Sequence, residues 1–132
     1  MIFVDSSFWI AVSFRRDADH EEAVAVIQKH ASQGLVTSNH VCGETWTFVN
    51  RRYGHAAAVQ VIDRIRQASR LRVEQVPSRL EEEAWTWLRR RGEREYSFVD
   101  ATSFALMRKL RIREALAFDG DFAAAGFVEL RP

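Results

Sequence analysis

The apolar residues fall into short continuous runs separated by longer stretches of helical period. Ile2-Phe3-Val4, Leu35-Val36-Thr37, Leu71 to Val76, Ala115 to Phe118 and Phe127 to Leu130 read as strands. Between them, Ser6 or Ser7 caps a helix through Phe14, and Asp19-His20-Glu21-Glu22 opens a second. That second helix carries Ala23, Val24, Ile27 and Ala31 at helical spacing and ends at Gly34. A third runs from Asn39 to Tyr53, where Gly54 breaks it, and a fourth from Ala56 to Ser69. Ser78 caps a fifth with Leu80, Ala84, Trp87 and Leu88 inward; Ser97 caps a sixth through about Leu110; a helical turn covers Phe122 to Ala125. Strands alternating with helical crossovers predict an α/β fold with a mainly parallel sheet covered on both faces. In such sheets ligands bind beyond the carboxyl ends of the strands.

Four acids stand out against this pattern. Asp5 follows the first strand run and Asp119 follows the fourth, while Glu44 and Asp100 lie within apolar-rich segments on helical stripes with Val41 and Phe48, and with Phe104 and Met107. Carboxylates among hydrophobic side chains are costly unless their charge is compensated. A hard divalent cation does so with oxygen ligands. Each acid also has an ordinary structural reading. Asp5 would cap the first helix, Glu44 would sit on a rim, Asp100 would complete a capping box with Ser97, and Asp119 with Asp121 would flank a surface turn at Gly120. All four positions together favour one metal site suited to phosphodiester hydrolysis.

Composition narrows the alternatives. A chain of 132 residues with 47% hydrophobic and 28% charged residues fits one domain, residues 1–132, with its own core. No apolar run approaches the ~20 residues of a membrane span. No signal peptide is evident, and the lone Cys42 excludes an internal disulfide, so a cytoplasmic setting is expected. His20, His30, His40 and His55 lack zinc spacing, and no glycine-rich phosphate loop is present. Trp9, Trp46, Trp85 and Trp87 read as core or interface residues. Net charge is only +1, but arginine clusters at Arg15-Arg16, Arg51-Arg52, Arg89 to Arg91 and Arg108 to Arg113. Arginine forks suit phosphate. Arg15, Arg16, Arg51 and Arg52 adjoin the helices nearest the acids and are the expected contacts to a substrate's phosphate backbone.

The segments Met1 to Trp9, Thr37 to Thr45, Tyr96 to Ala101 and Ala117 to Phe122 resemble, in order, the four motifs of PIN-domain ribonucleases, and more narrowly the VapC toxins of VapBC toxin–antitoxin pairs. The resemblance implies a three-layer α/β/α PIN domain and a Mg²⁺-dependent, or Mn²⁺-dependent, endoribonuclease. It implies Asp5, Glu44, Asp100 and Asp119 as the acidic quartet, with Asp121 joining or replacing Asp119 at the metal, and Ser97 as the residue preceding the third acid. It further implies a homodimer and a VapB antitoxin whose tail occupies the toxin groove. The overall likeness is to VapC toxins that cut the sarcin–ricin loop of large-subunit rRNA, through Glu93 to Met107 and Ala117 to Phe127. A tRNA-cleaving toxin, a catalytically silent PIN-like binding module, and a phosphatase or DNA nuclease using the same acids stand as alternatives.

Overall fold

A computed structural model describes residues 1–132. Five strands form one all-parallel sheet: β1 (Ile2–Val4), β2 (Leu35–Ser38), β3 (Leu71–Glu74), β4 (Glu114–Leu116) and β5 (Val128–Glu129). Their spatial order is β3-β2-β1-β4-β5. The order reverses between β1 and β4, so the crevice beyond their carboxyl ends is the topological switch point. Alternate residues of β1 face opposite sides of the sheet, yet Ile2, Phe3 and Val4 are all fully buried, so both faces are covered.

The covering helices are α1 (Ser6–Ser13), α2 (His20–His30), α3 (Asn39–Tyr53), α4 (His55–Gln67), α5 (Ser78–Arg89), α6 (Phe98–Leu110) and the short α7 (Asp121–Ala124). Helix α6 is the most deeply set, with Asp100 to Met107 buried without interruption. Phe104 packs edge-on to Phe122 at 5.0 Å and to Trp87 at 5.3 Å, tying α6 to α7 and α5. One continuous apolar cluster runs from Ile2 to Phe122, as expected for a single folding unit.

Several boundaries differ from the sequence reading. Of the caps the sequence offers for α1, Asp5 takes the role rather than Ser6 or Ser7; its carboxylate accepts from the Ser7 N–H at 3.2 Å. Pro77 holds the cap position of α5, leaving Ser78 as its first helical residue; Pro77 has no N–H to lose there. Strand β3 stops at Glu74 because the Asn39 side chain takes the Val76 N–H at 2.9 Å before Pro77. Strand β4 stops at Leu116 because side chains take the next groups: Arg131 donates to the Ala117 carbonyl at 2.9 Å, and Ser7 Oγ accepts from the Phe118 N–H at 3.1 Å. In α2 the buried pair is Ala23 and Val26; Ala31 lies outside the helix and is exposed. Trp9 is core, whereas Trp85 remains 45% exposed, stacked on Phe98 at 4.1 Å.

Candidate metal centre

The switch-point crevice is walled by residues that the chain supplies from separate places. Asp5 enters at the end of β1, Asp100 from the first turn of α6, and Asp119 and Asp121 from the turn after β4. Carboxylate oxygens of Asp100, Asp119 and Asp121 lie within 4.8 Å of one another. Gly120 gives the turn its sharpness: it stands at φ 80°, a conformation that L side chains rarely adopt, and the Arg94 guanidinium lies 3.2 Å from where a Cβ would be.

Asp5 is buried, with Oδ2 accepting the Ser7 hydroxyl at 2.7 Å. Its Oδ1 is buried with no hydrogen-bond partner. A carboxylate oxygen left bare in this way is expensive unless a cation faces it. Asp100 is held by a reciprocal capping box: Ser97 Oγ accepts from the Asp100 N–H at 2.9 Å, and Asp100 Oδ2 accepts from the Ser97 N–H at 3.0 Å. Both readings of Asp100, cap and inward acid, therefore hold at once. The Ser97 hydroxyl keeps its own O–H free to donate.

The electrostatics follow from this crowding. Burial pushes the Asp5 carboxyl from 3.8 up to about 8, with the Asp119 charge adding to it, Ser7 opposing, and Asp100 adding further. Burial likewise raises Asp100 to about 6; the Ser97 N–H opposes, and the charges of Asp121 and Asp119 add. Asp119 is raised by desolvation first, against the Asp121 N–H that it accepts at 3.1 Å. Three acids resisting ionisation at one place mark a site built for positive charge. The oxygen-only donor set, its spacing and the bare Asp5 oxygen fit a hard divalent cation.

Glu44 stands across the crevice on α3. It accepts the Ser6 hydroxyl and shares a cleft with Ser7, Phe118 and Asp119. Like Asp5 it lies outside the cluster of Asp100, Asp119 and Asp121, but whereas Asp5 is buried, Glu44 is half-buried and reaches the site from the rim. Arg51 and Arg52 line an adjoining cleft with Glu44, His40, Phe48 and Val99. Arg15 and Arg16 are exposed in the turn after α1 and line neither cleft; Asp17 and Asp19 stand at the rim instead.

Three contributors escaped the sequence reading. Ser6 and Ser7 read there as caps, yet Ser6 engages Glu44 and Ser7 links Asp5 to the chain after β4. An Asp followed two residues later by Ser is a turn pattern that points to the Asp5–Ser7 contact. Arg94 donates from Nε to Asp121 at 2.6 Å and from its terminal nitrogen to the Asp119 carbonyl at 3.1 Å. Nothing in Glu93-Arg94-Glu95 announces that, since the contact closes across 27 positions.

The profile of the PIN domain matches residues 2–128. The chain belongs to the PIN-domain family. It is 58% identical over 132 residues, all of this chain and 99% of the relative, to the 23S rRNA-specific endonuclease VapC20 of Mycobacterium tuberculosis, in each of two strains. The crystal structure of Mycobacterium tuberculosis VapC20, a sarcin–ricin loop cleaving toxin, matches with a TM-score of 0.93 and 57% identity over 100% of both chains. FitAcB from Neisseria gonorrhoeae matches with a TM-score of 0.67 at 16% identity, over 98% of this chain and 96% of that one, a likeness of fold alone.

Proposed function

We propose that this protein is a metal-dependent endoribonuclease toxin that hydrolyses a phosphodiester bond in the sarcin–ricin loop of 23S rRNA and so blocks translation. The observation that carries the chemistry is the bare, buried Asp5 oxygen beside a cluster of carboxylates at the sheet's switch point. The target rests on 58% identity along the whole chain to a 23S rRNA-specific endonuclease.

Asp5, Asp100, Asp119 and Asp121 are the residues that would hold Mg²⁺ or Mn²⁺. When bound, the cation supplies charge stabilisation at the scissile phosphate and a water nucleophile at neutral pH. Ser7 fixes the Asp5 carboxylate, and the capping box fixes Asp100, so both acids are pre-oriented. Glu44 faces the same cleft as Asp119, where it orients a water or takes its proton. The Asp121 carboxylate is already paired with the Arg94 guanidinium, whereas the Asp119 carboxylate meets only the Asp121 N–H, so we take Asp119 as the fourth member of the quartet and Asp121 as an additional ligand beside it. Ser97 donates its free O–H to a phosphate, and Arg51 and Arg52 hold the flanking backbone.

The VapC relatives also imply a VapB-type antitoxin, and we assign the homodimer face to α3 through α5. Trp85 is a large apolar side chain exposed there and lines neither cleft at Glu44. No helix is long and apolar enough to cross a membrane.

Incubating the purified protein with intact ribosomes, total tRNA and a DNA hairpin tests the reading, with Mg²⁺, with Mn²⁺ and with chelator. One metal-dependent cut in the sarcin–ricin loop is expected. A cut confined to tRNA or DNA, or one that survives chelation, overturns it.

A further inference from the structure

Two arginine clusters that the acidic site leaves unused meet in the fold. Arg79 from α5, Arg90 and Arg91 just beyond its end, and Arg108 near the end of α6 line one groove with Trp87 and Thr86. Arg108 also lines an adjoining groove with Arg111 and Arg113. Across both grooves six arginines face two acids, Glu82 and Glu83. The chain as a whole carries only +1, so this face holds a positive surplus while the rest of the surface is net negative.

These guanidinium groups are poorly neutralised. Among the six, only Arg91 has a carboxylate within ion-pair distance, Glu93 at 3.9 Å. Arg91 also lies over the Trp87 ring at 5.1 Å, which holds its planar fork in place. Desolvation lowers the Arg108 guanidinium below its ordinary range; Glu83 opposes this and the Arg91 charge adds to it. A guanidinium stays protonated in proteins, so this crowding calls for an anion from outside.

The groove is separate from both surfaces already assigned. On α5, Leu80 and Ala84 point inward. Arg79, Glu82, Thr86 and Arg90 recur at spacings of three and four along one flank of that buried face. Glu81 and Trp85 lie on the other flank, where they meet His40 and Phe98. The arginine flank thus stays open when the Trp85 flank is covered. Helix α6 connects the groove to the acidic site: Asp100 and Arg108 are eight residues apart, roughly 12 Å along the axis at about 1.5 Å per residue. A stacked nucleic-acid strand, with roughly one phosphate per 3.4 Å of axis, covers that in three or four nucleotides.

We infer that the α5–α6 arginine groove is a second RNA-binding surface, which takes the phosphate backbone of the helix flanking the cleaved loop. This rests on the ribonuclease reading above and adds to it a preference for structured substrates over short ones. Backbone contacts of this kind position the RNA without reading its sequence.

The test compares wild type with the R79Q/R90Q/R108Q variant, and with the milder R79Q/R90Q, on two RNAs. One is a sarcin–ricin hairpin carrying a long flanking helix; the other is the loop on a minimal stem. Binding is measured without metal across a salt series, and cleavage with Mg²⁺. For the long RNA the triple variant should raise KM about tenfold at unchanged kcat. It should also flatten the log–log salt slope by roughly 0.7–0.9 for every phosphate that is no longer neutralised. Cleavage of the minimal RNA should not change. An unchanged salt slope on the long RNA overturns the inference, as does an equal loss on both RNAs. Unaltered RNA binding with weakened binding of a VapB-type antitoxin would overturn it in favour of an acidic protein partner. If wild type cuts neither RNA, the ribonuclease reading fails, and the metal-free salt slope still decides whether this groove binds RNA.

Discussion

Ser7 donates its hydroxyl to Asp5 Oδ2 at 2.7 Å and accepts the Phe118 N–H on the same oxygen at 3.1 Å. One side chain thereby fixes the first acid and ties the end of β1 to the segment that delivers Asp119. Ser7→Ala leaves a buried carboxylate oxygen and a backbone N–H short of partners. That should cost about 1–3 kcal/mol of stability. If the acids hold a cation, removing such a supporting hydrogen bond should weaken Mn²⁺ binding by about 10–100-fold. Calorimetric titration and thermal melts of the variant check both, and full-strength Mn²⁺ binding would show that Asp5 is positioned without Ser7.

The raised acids give the metal-free protein a pH signature. Asp5 has a folded value of about 8 against an ordinary 3.8, so between these values the native chain binds more protons than the unfolded one. Its contribution is full below the ordinary value and is lost as pH rises through about 8. Asp100 acts in the same direction up to about 6. Melting temperature in chelator should therefore fall from weakly acidic pH toward pH 8. Saturating Mg²⁺ or Mn²⁺ should flatten or reverse that slope, because a cation stabilises the ionised acids. Equal profiles with and without divalent cation would remove the metal from the account.

Asp100→Asn separates the two roles of that residue. Asparagine keeps an oxygen for the Ser97 N–H, so the capping box survives in outline. The charge disappears from a place where it was opposed by burial and by Asp121 and Asp119. Without metal the variant should melt at or above the wild-type temperature at neutral pH. Cleavage should fall by at least about 10²–10³-fold, the scale on which pre-organised charge stabilisation acts. A marked loss of thermal stability with retained cleavage would make Asp100 a cap and nothing more.

The sequence made the sheet plausible and the acids conspicuous for the same reason: both depend on local pattern. Short apolar runs ending in Asp5 and Asp119 placed those carboxylates at strand ends before any pairing was known. Asp100 announced itself through Ser97 three residues earlier. What stayed hidden was settled by long-range contacts. Strand β4 ends where Arg131 and Ser7 take its next backbone groups, and β3 ends where Asn39 takes the Val76 N–H. Arg94 reaches Asp121 only because the turn at Gly120 folds back toward it. The meeting of Arg90 and Arg108 in one groove likewise depends on α5 packing along α6.

Trp85 tests the assigned dimer face. It is 45% exposed although it stacks on Phe98. Aromatic side chains of this size are enriched at the centres of protein interfaces. Trp85→Glu should convert the protein to monomers at micromolar concentration, measured by sedimentation equilibrium, with the fold intact by circular dichroism. A wild type that is already monomeric under those conditions removes α3–α5 as a dimer face.

Two arginine pairs that look alike in the sequence differ in their setting. Arg51 and Arg52 close α3 and line the cleft that contains Glu44. Arg15 and Arg16 are exposed after α1, and the residues of that turn that line the cleft are Asp17 and Asp19. Acids at that rim repel a phosphate backbone, whereas the α3 arginines offer it an approach to Asp119 past Glu44. R51A/R52A should weaken RNA binding and reduce the salt slope by roughly 0.7–0.9 for each phosphate that the pair neutralises. R15A/R16A should change the slope far less. Both doubles should bind Mn²⁺ as the wild type does, since none of the four arginines touches the carboxylate cluster. Equal reductions in the two variants would mean that RNA crosses the α1 end of the cleft as well, over Asp17 and Asp19. An unchanged slope in R51A/R52A alone would move the RNA path off α3 altogether.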